Sequence, residues 1–404
     1  MQTYKGKRSH KTEKIKRWLE RIREGVKRRK ELKPPDYVIL VLTLFFIAFG
    51  LLMVLNSSVV FSFAYFGQKY KFLFQQLAWI SIGAILMFIT YKINYRIYNK
   101  ITIPLLIITA IFLIIVIIFG KRVYGAQRWI DLVTFSVQPS ELSKLTFILY
   151  LSSWLSKKRE YSNWKQYITE EWLPFIFTLS IIAGLIIGGR DMGTAMTLTF
   201  IALSMYFISA RNSYQKKGFI LMLSLIILLS SLMILTSKYR LERVKVYLDL
   251  LRGNIRNPDK EGYQITQVLI AIGAGGLFGR GFTESLQKYD LVETSAATDS
   301  IIAIIGEELG FVFLVTLCAA YLFFTLRAFK ISSKSPDIFG ALTAAGIGLW
   351  VSIQAFINIS ANIGLIPLTG VPLPFISYGG SSIVTLMTGI GILLNISRYT
   401  LDKQ

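Results

Sequence analysis

Three clusters of polar and ionisable residues interrupt an otherwise apolar chain, and each lies where an apolar segment begins or ends. The first surrounds Asp299, the second surrounds Asp191, and the third includes Glu141 and Lys144. Ionisable residues at the boundary of a membrane helix are energetically costly and point to a functional site. A carboxylate there can accept a proton or hold a cation, or it can serve only as a helix cap.

Histidine and cysteine contribute little to these clusters, because the 404-residue chain contains one of each. His10 lies in a basic N-terminal tail and Cys318 lies in an apolar run, which excludes a His/Cys metal site and a disulfide framework. The chain is 53% hydrophobic and 17% charged, with a mean hydropathy of +0.53. The net charge of +22 does not indicate a nucleic-acid-binding protein. Much of the charge lies in residues 1–33, which carry 14 Lys/Arg against 4 Glu, and the rest of the chain is a series of apolar segments that a soluble nucleic-acid binder would not have.

The third cluster reads QPSELSKL and marks the start of a helix, because Pro139 suits the first helical position. Glu141 and Lys144 are three residues apart and therefore share one helical face. Two interpretations remain open. The pair can belong to a functional site together with Gln138 and Ser140, or it can be a local ion pair that caps the helix.

The second cluster, GGRDMGT, predicts a tight turn between two apolar segments. Asp191 lies at the start of the later segment, followed by Thr194 and preceded by Arg190. A helix N-cap by Asp191 is the alternative to a functional role, and the two can coexist.

The stretch from Asn358 to Ser382 is uncharged and holds three prolines, four glycines and two asparagines between two apolar runs. Proline removes a backbone donor and breaks helices. Inside lipid, broken backbone persists only where it is buried in protein or lines a wet cavity. We therefore predict a re-entrant or mouth loop, held in one shape, rather than a plain connector. The string is called the Pro/Gly loop below.

Apolar runs of about 20 residues, the length that crosses a bilayer, predict an all-α integral membrane protein with about ten transmembrane helices. With the N-terminus inside, the inner segments hold 29 of the 45 Lys/Arg, so both termini are expected to be cytoplasmic. The large extracytoplasmic loop, about 237–299, lies between helices 7 and 8. The predicted spans are 37–55, 73–91, 101–119, 141–156, 173–189, 193–210, 218–236, 300–326, 338–359 and 377–397.

Two amphipathic segments flank these spans. Residues 1–36 form a basic cytoplasmic tail, for which two interpretations remain open. The tail can be a solvated topology anchor. Alternatively, it can form an amphipathic helix on the anionic inner leaflet, because four apolar residues have helical spacing: Ile15, Trp18, Leu19 and Ile22. Residues 238–253 predict a second interfacial helix, on the outer side.

Several of these strings resemble motifs of the SEDS family (shape, elongation, division and sporulation), whose members include FtsW and RodA. The resemblance covers residues 37–398, which form one polytopic membrane domain. The Pro/Gly loop is similar to the family signature, and GAQRWI followed by QPSELSKL is similar to a second motif. Asp191, Gly193 and Thr194, then Thr298, Asp299 and GEELG, match further motifs.

Two positions depart from the family pattern. Arg190 stands where the family commonly has a proline, which puts the geometry of that turn in question. Near Asp299 the family usually has a Pro-Glu and a His, and their places are taken here by Thr294, Ser295 and Ala297. That His and Glu therefore cannot be required helpers in this protein.

The resemblance implies a peptidoglycan glycosyltransferase that polymerises lipid II, an undecaprenyl-pyrophosphate disaccharide-pentapeptide, outside the cytoplasm. Asp299 is then the general base on the acceptor's GlcNAc 4-hydroxyl. That oxygen attacks the donor's MurNAc anomeric carbon, and a single displacement inverts α to β. The residues expected to bind substrate are Arg128, Trp129, Gln138, Ser140, Glu141, Lys144, Arg190, Asp191, Thr194, Arg243, Ser377, Gly379, Gly380 and Ser381.

The leaving pyrophosphate needs stabilisation by positive charge or backbone dipoles. The candidates are Arg128, Lys144, Arg190, Arg243 and the backbone donors of residues 377–382, where a helix begins. A divalent ion such as Mg or Mn, held by Glu141, Asp191 or the pyrophosphate, is a further hypothesis. The sequence predicts no other cofactor.

The resemblance also implies partners: a class B penicillin-binding protein, which is a transpeptidase, and proteins of the divisome. Two segments, Arg243–Asp249 and Ser285–Lys288, favour the FtsW branch, which works in septal synthesis, over an elongation polymerase of the RodA type. A lipid II flippase and a non-catalytic scaffold are the alternatives from other classes. A transporter typically shows inverted repeats and ionisable residues near mid-membrane, and we find neither.

Overall fold

A computed structural model describes residues 32–123, 126–132, 135–157, 159–235, 238–252, 262–290 and 293–401. The predictions for residues 1–31, including the amphipathic helix in the tail, lie outside the described residues. The principal helices are α1 Tyr37–Phe66, α2 Lys71–Lys92, α3 Arg96–Phe119, α4 Pro139–Leu155, α5 Trp164–Gly188, α6 Met192–Ser209, α7 Ser213–Leu235, α8 Lys238–Leu251, α9 Tyr263–Gly275, α10 Ile301–Ser333, α11 Ile338–Asn362 and α12 Gly380–Ser397.

Each of the ten predicted spans coincides with one of these helices, and the fold is that of a multi-pass membrane protein. Within the described residues, eight helices are long and apolar enough to cross a membrane: α1, α2, α3, α5, α6, α10, α11 and α12. The remaining two predicted spans fall on α4, which has 17 residues, and on α7, which has 23. The total of ten spans therefore stays a prediction.

Helices α11 and α12 form the centre of the bundle. In the most apolar 18-residue stretch of each helix, 72% of the residues of α11 and 89% of those of α12 are buried, compared with 17% for α2 and 22% for α3. Helix α12 packs against α2, α4 and α11, while α11 also contacts α6 and α10. Large apolar side chains on the outer helices, such as Phe74 and Phe88 on α2, are exposed because their surroundings are lipid.

A small antiparallel sheet departs from the all-α expectation. Strands β1 Lys121–Val123, β2 Ala126–Leu132 and β3 Phe135–Val137 pair in the order β1-β2-β3 between α3 and α4. The sequence analysis treats this stretch only as a motif, because its strands are too short to show a clear alternation. The sheet carries Arg128 and Trp129, and it contacts α3 and α4.

Helix α10 is broken at Gly310, whose φ of 77° and ψ of −178° are not helical. The span predicted at 300–326 is therefore two helical pieces, continuing to Ser333. Residues 276–281 pass through the break and pair with its open backbone. Arg280 N and Gly281 N donate to the carbonyls of Glu307 and Glu308, and Phe311 N and Val312 N donate to the carbonyls of Gly276 and Leu277.

Two buried carboxylates next to the break bond to neighbouring segments of the chain. Glu307 is fully buried and accepts a hydrogen bond from Arg280 Nη1 at 3.0 Å and from Ser285 Oγ at 2.6 Å. Glu308 is also buried and accepts from Asn56 Nδ2 of α1 at 2.5 Å. A buried carboxylate is tolerated only when it is paired in this way, so the GEELG string works here as a structural anchor.

Among its described residues, the region predicted as the large loop between helices 7 and 8 is largely helical. It contains α8, where the sequence predicts an amphipathic helix, then α9 and a helical turn at Gln287–Asp290. The interfacial position of α8 stays a prediction. A 3-10 turn at Glu293–Ala296 comes shortly before Asp299.

We predict that Gly50→Ala destabilises the protein. A Cβ at Gly50 of α1 would lie 2.6 Å from both Ile376 Cα and the Phe375 carbonyl oxygen. Both are backbone atoms of the Pro/Gly loop, so the loop itself would have to move, at a cost of about 1–3 kcal/mol. Thermal unfolding of the purified protein in detergent measures the effect.

Gly184→Ala in α5 is the matched control, because a Cβ at that position meets nothing within 4 Å. Alanine also favours a helix over glycine by up to about 1 kcal/mol, so this variant should unfold at or slightly above the parent temperature. Equal unfolding temperatures for the Gly50 and Gly184 variants would contradict the direct contact between α1 and the loop.

Candidate functional site

Asp299 lies in a turn just before α10 and is half-buried. The helix begins at Ile301 and its N-cap residue is Ser300, so Asp299 does not occupy the capping position. Thr298 Oγ1 donates to Asp299 Oδ1 at 3.0 Å. A Cβ built on Gly370 would lie 3.9 Å from Asp299 Oδ2, which places the carboxylate beside the Pro/Gly loop.

The middle of the Pro/Gly loop, residues 363–379 between α11 and α12, is non-helical, and its later half is packed inside the bundle. Val371, Leu373, Phe375 and Ile376 are each buried to 3% exposure or less, and Tyr321 of α10 donates to the Pro374 carbonyl at 2.6 Å. These contacts agree with the prediction of a loop held in one shape, because broken backbone inside a bundle needs partners from the protein.

The loop is also bonded to the residues that precede Asp299. Ser377 Oγ donates to the Thr298 carbonyl, and Tyr378 N donates to the Ala297 carbonyl at 2.8 Å. The Tyr378 hydroxyl donates to Gln75 Oε1 at 2.9 Å. These bonds place Ser377 beside the residues that precede Asp299.

A second group of predicted residues meets around Asp191, the N-cap residue of α6. Asp191 Oδ2 accepts from Gln138 Nε2 at 2.8 Å and from Ser140 Oγ at 2.7 Å. Its Oδ1 accepts from Thr194 N at 3.4 Å, and Gln138 N donates to Ser381 Oγ at 2.9 Å. The capping role of Asp191 is therefore present, and it coexists with the wider cluster.

This network brings the N-termini of three helices together. Helix α4 starts at Pro139, α6 at Met192 and α12 at Gly380, and the hydrogen bonds of Gln138 join all three starts. A helix N-terminus carries partial positive charge and unpaired backbone N–H groups, so the convergence favours an anionic ligand. Gly379 and Gly380 lie at the start of α12, as the sequence predicts.

The two groups adjoin through the Pro/Gly loop. A Cβ at Gly193, two residues after Asp191, would lie 2.7 Å from the Thr369 carbonyl oxygen. Thr369 precedes Gly370, which lies beside Asp299. The loop therefore stands between the base candidate and the helix N-termini.

Lys144 and Glu141 are interior residues, with 1% and 2% exposure. Lys144 Nζ donates to Glu141 Oε1 at 2.7 Å and to Gln354 Oε1 at 2.8 Å, and it lies 5.4 Å from the Trp350 ring. Glu141 and Lys144 share one face of α4, as predicted, and the bond from Lys144 to Gln354 links α4 to α11. Substrate binding by this pair stays a prediction.

The sheet places Arg128 next to the turn that carries Asp191. Arg128 Nη2 donates to the Arg190 carbonyl at 2.5 Å, and Trp129, also on β2, is half-buried. Arg190 is exposed and has a left-handed φ of 60°. Arg243 lies on α8 with its side chain outside the described residues. A neighbouring residue, Tyr247, donates to the Leu365 carbonyl of the Pro/Gly loop at 2.7 Å.

Sequence reasoning missed Asn358 and Asn362 as site residues, although they open the Pro/Gly loop string. The Nδ2 atoms of both side chains donate to the Asp299 carbonyl oxygen at 2.8 Å. The available signal was their spacing, because two amides four residues apart on an apolar helix share one face.

A metal site stays a hypothesis. Among the described residues, no group of three or more His, Cys, Asp or Glu side chains is arranged to hold a metal ion. Glu141 and Asp191 have separate hydrogen-bond partners.

Fold and site together define a multi-pass membrane protein whose polar residues gather at converging helix ends. The family model of the cell cycle proteins FtsW, RodA and SpoVE matches residues 36–402. The chain belongs to this family, which confirms the resemblance drawn from its motifs.

Individual relatives agree over nearly their full lengths. A protein of Trichlorobacter lovleyi named "Probable peptidoglycan glycosyltransferase FtsW" is 34% identical over 90% of this chain and 93% of its own. The protein of that name from Bacillus subtilis is 35% identical, covering 92% of each chain. Stage V sporulation protein E of Bacillus subtilis is 34% identical over 91% of this chain and 98% of its own.

Two solved structures share the fold. A chain from a peptidoglycan synthase complex that coordinates polymerization and crosslinking has a TM-score of 0.73 and 23% identity, with 90% of this chain and 98% of that chain covered. The rod shape determining protein RodA of Thermus thermophilus has a TM-score of 0.65 and 21% identity, with 91% and 98% covered.

We predict that Arg190→Pro destabilises the protein, although proline is common at this place in the family. Proline fixes φ near −65° and has no N–H, whereas Arg190 has a φ of 60° and donates to the Ile187 carbonyl at 2.8 Å. The expected loss is about 1–3 kcal/mol, seen as a lower unfolding temperature in detergent. Arg190→Gly, which adopts positive φ freely, should unfold close to the parent. A proline variant as stable as the parent would show that this turn is not left-handed.

Proposed function

We propose that this protein is a peptidoglycan glycosyltransferase that polymerises lipid II into glycan strands for septal wall synthesis. The observation that carries the proposal is the half-buried Asp299, whose carboxylate lies beside Gly370 of the Pro/Gly loop, with the N-termini of α4, α6 and α12 on the other side of that loop. This arrangement offers a base next to a site for an anionic leaving group. The names of the relatives support the same activity.

In the proposed reaction, Asp299 accepts the proton of the GlcNAc 4-hydroxyl on the acceptor. The oxygen forms a bond to the MurNAc anomeric carbon of the donor as the bond from that carbon to undecaprenyl pyrophosphate breaks. One displacement with one base inverts the α-linked donor to a β-1,4 glycan. The electron pair of the broken bond leaves with the pyrophosphate.

The leaving pyrophosphate is the group that the helix N-termini would stabilise. Backbone N–H groups at residues 379–382, with the hydroxyls of Ser140 and Ser381, lie at those ends. Arg128 and Arg190 lie next to them and bring positive charge. Lys144 lies deeper in the bundle, so we propose that it supports the site instead of entering the ligand shell.

We further propose that the partner is a class B penicillin-binding protein, which cross-links the strands, within the divisome. The relatives named FtsW support the septal branch. An elongation role of the RodA type is the nearest alternative, and it differs in partner rather than in chemistry.

The proposed orientation places both termini in the cytoplasm and residues 237–299 outside. We predict that a cysteine at position 260 reacts with an impermeant thiol reagent in intact cells, after Cys318 has been replaced. A cysteine at position 217 should react only after permeabilisation, because residues 211–217 lie on the inner side in the proposed topology. The reverse pattern would place the site inside and remove the basis for a lipid II polymerase.

We predict that Asp299→Asn lowers polymerisation by about two orders of magnitude or more, the scale expected for a lost general base. Asparagine keeps the size and shape of the side chain but cannot accept the proton. Folding should change little, because Asp299 is not the N-cap residue of α10. The assay is glycan-chain formation from labelled lipid II by the purified protein with its transpeptidase partner, whose active serine is blocked.

Glu284→Gln is the control for this charge change, because Glu284 is exposed and is not among the residues assigned to the site. It should polymerise at the parent rate. An Asp299→Asn variant that also does so would refute the base assignment and make Asp191 or Glu141 the next candidate.

A further inference from the structure

Helix α11 carries a stripe of buried polar residues. Trp350, Gln354, Asn358 and Asn362 follow one another at intervals of four and therefore share one face, and the last three have exposures of 0%, 1% and 1%. Amide side chains inside an apolar bundle are unfavourable unless they bond to something specific. We propose that Asn358 and Asn362 are positioning residues that hold Asp299 in place for proton transfer. This inference rests on the proposed function.

The two asparagines make four hydrogen bonds through their amide nitrogens. Asn358 Nδ2 donates to the carbonyl oxygens of Asp299 and Val371, both at 2.8 Å. Asn362 Nδ2 donates to the carbonyl oxygens of Asp299 at 2.8 Å and Asn358 at 2.9 Å. The three acceptor atoms are all carbonyl oxygens, which cannot donate, so the orientation of both amides follows from the chemistry.

Both asparagines contact the same atom of the base residue, its backbone carbonyl oxygen. That oxygen has two lone pairs, and both have a donor. Asp299 lies in a turn, where helical hydrogen bonds do not fix the backbone as they do further along α10. The stripe on α11 replaces that missing support.

The same stripe also fixes the part of the Pro/Gly loop that faces the base. Asn358 binds the Val371 carbonyl, and Gly370, the residue before it, faces Asp299 Oδ2. The Asn358 side chain is therefore bonded both to the backbone of Asp299 and to the loop residue that follows Gly370. Misplacement of a reacting group by about 1 Å can cost a factor of about 100 in rate.

Gln354 extends the support by one turn of the helix. Its Nε2 donates to the Pro372 carbonyl at 2.9 Å, and its Oε1 accepts from Lys144 Nζ and Trp350 Nε1, both at 2.8 Å. Because Lys144 has only donors, it forces Gln354 to present its oxygen to the lysine and its NH2 group to the loop. This gives the buried Glu141–Lys144 pair a role in orienting the loop.

The amide oxygens provide a further observation. Asn358 Oδ1 and Asn362 Oδ1 are buried and have no hydrogen-bond partner among the described residues. Leaving a buried acceptor unpaired is unfavourable. Within the described residues, both side chains therefore act through their Nδ2 donors, which bond to carbonyl oxygens.

The test is Asn358→Leu, which keeps the approximate shape and removes the donors, assayed for lipid II polymerisation. We expect kcat to fall by about 10- to 100-fold, the scale of a misplaced base, while KM changes by less than about threefold, because binding is not affected. Thr343→Val is the matched control on α11. Thr343 Oγ1 is also buried without a partner among the described residues, so its removal should leave kcat at the parent value.

A double-mutant cycle separates positioning from general structural damage. In the Asp299→Asn background there is no base to position, so Asn358→Leu should reduce the residual rate by less than about threefold. The same loss in both backgrounds, or a raised KM with kcat unchanged, would overturn the proposal.

Two further outcomes are distinguishable. Parent-like kinetics in Asn358→Leu with an inactive Asp299→Asn would refute only the positioning role, whereas an active Asp299→Asn would refute the proposed mechanism itself.

Should Asn358→Leu fail to fold, Asn362→Leu carries the same test. It removes one donor from the Asp299 carbonyl and leaves the bond to Val371 intact, so a smaller fall in kcat is expected.

Discussion

The requirement that every buried backbone polar group be paired within the protein governs this structure. Lipid supplies no hydrogen bonds, so a break in a helix must be satisfied by other protein groups. At Gly310 the partner is a passing segment of main chain, which bonds on both sides of the break. In the Pro/Gly loop the partners are side chains, chiefly Asn358 and Gln354 from α11 and Tyr321 from α10.

The functional site follows from these breaks. A helix that ends inside or at the mouth of the bundle leaves N–H groups unpaired, and the starts of α4, α6 and α12 come together through Gln138. The broken α10 places Asp299 at its own start, opposite the loop. A bundle of uninterrupted helices would bury its backbone completely and would have no comparable place for an anionic, lipid-linked ligand.

Burial separates the charged residues into two sets. Glu307, Glu308, Glu141 and Lys144 are almost completely buried. Glu307, Glu308 and Lys144 each bond to a side chain on another segment of the bundle, whereas Glu141 pairs with Lys144 within α4. A buried charge is tolerated when it is paired in this way. Asp299 is half-buried, so it is less enclosed than these four residues. The family motifs therefore contain structural anchors as well as the candidate base, and their resemblance alone does not distinguish the two.

Hydropathy and helix signals in the sequence were enough to locate the helices, the Pro/Gly loop and the clusters around Asp191 and Asp299, because these depend on local composition and spacing. The three short strands were not predicted because they are too short to show a clear alternation. The break at Gly310 and the burial of Lys144 were decided only by tertiary structure, because each depends on a partner far along the chain: the glycine segment 276–281 for the break, and Gln354 for Lys144. The role of Asn358 was hidden for the same reason, since its acceptor on Asp299 is 59 residues away in sequence, and a hydrogen bond over that separation leaves no local pattern.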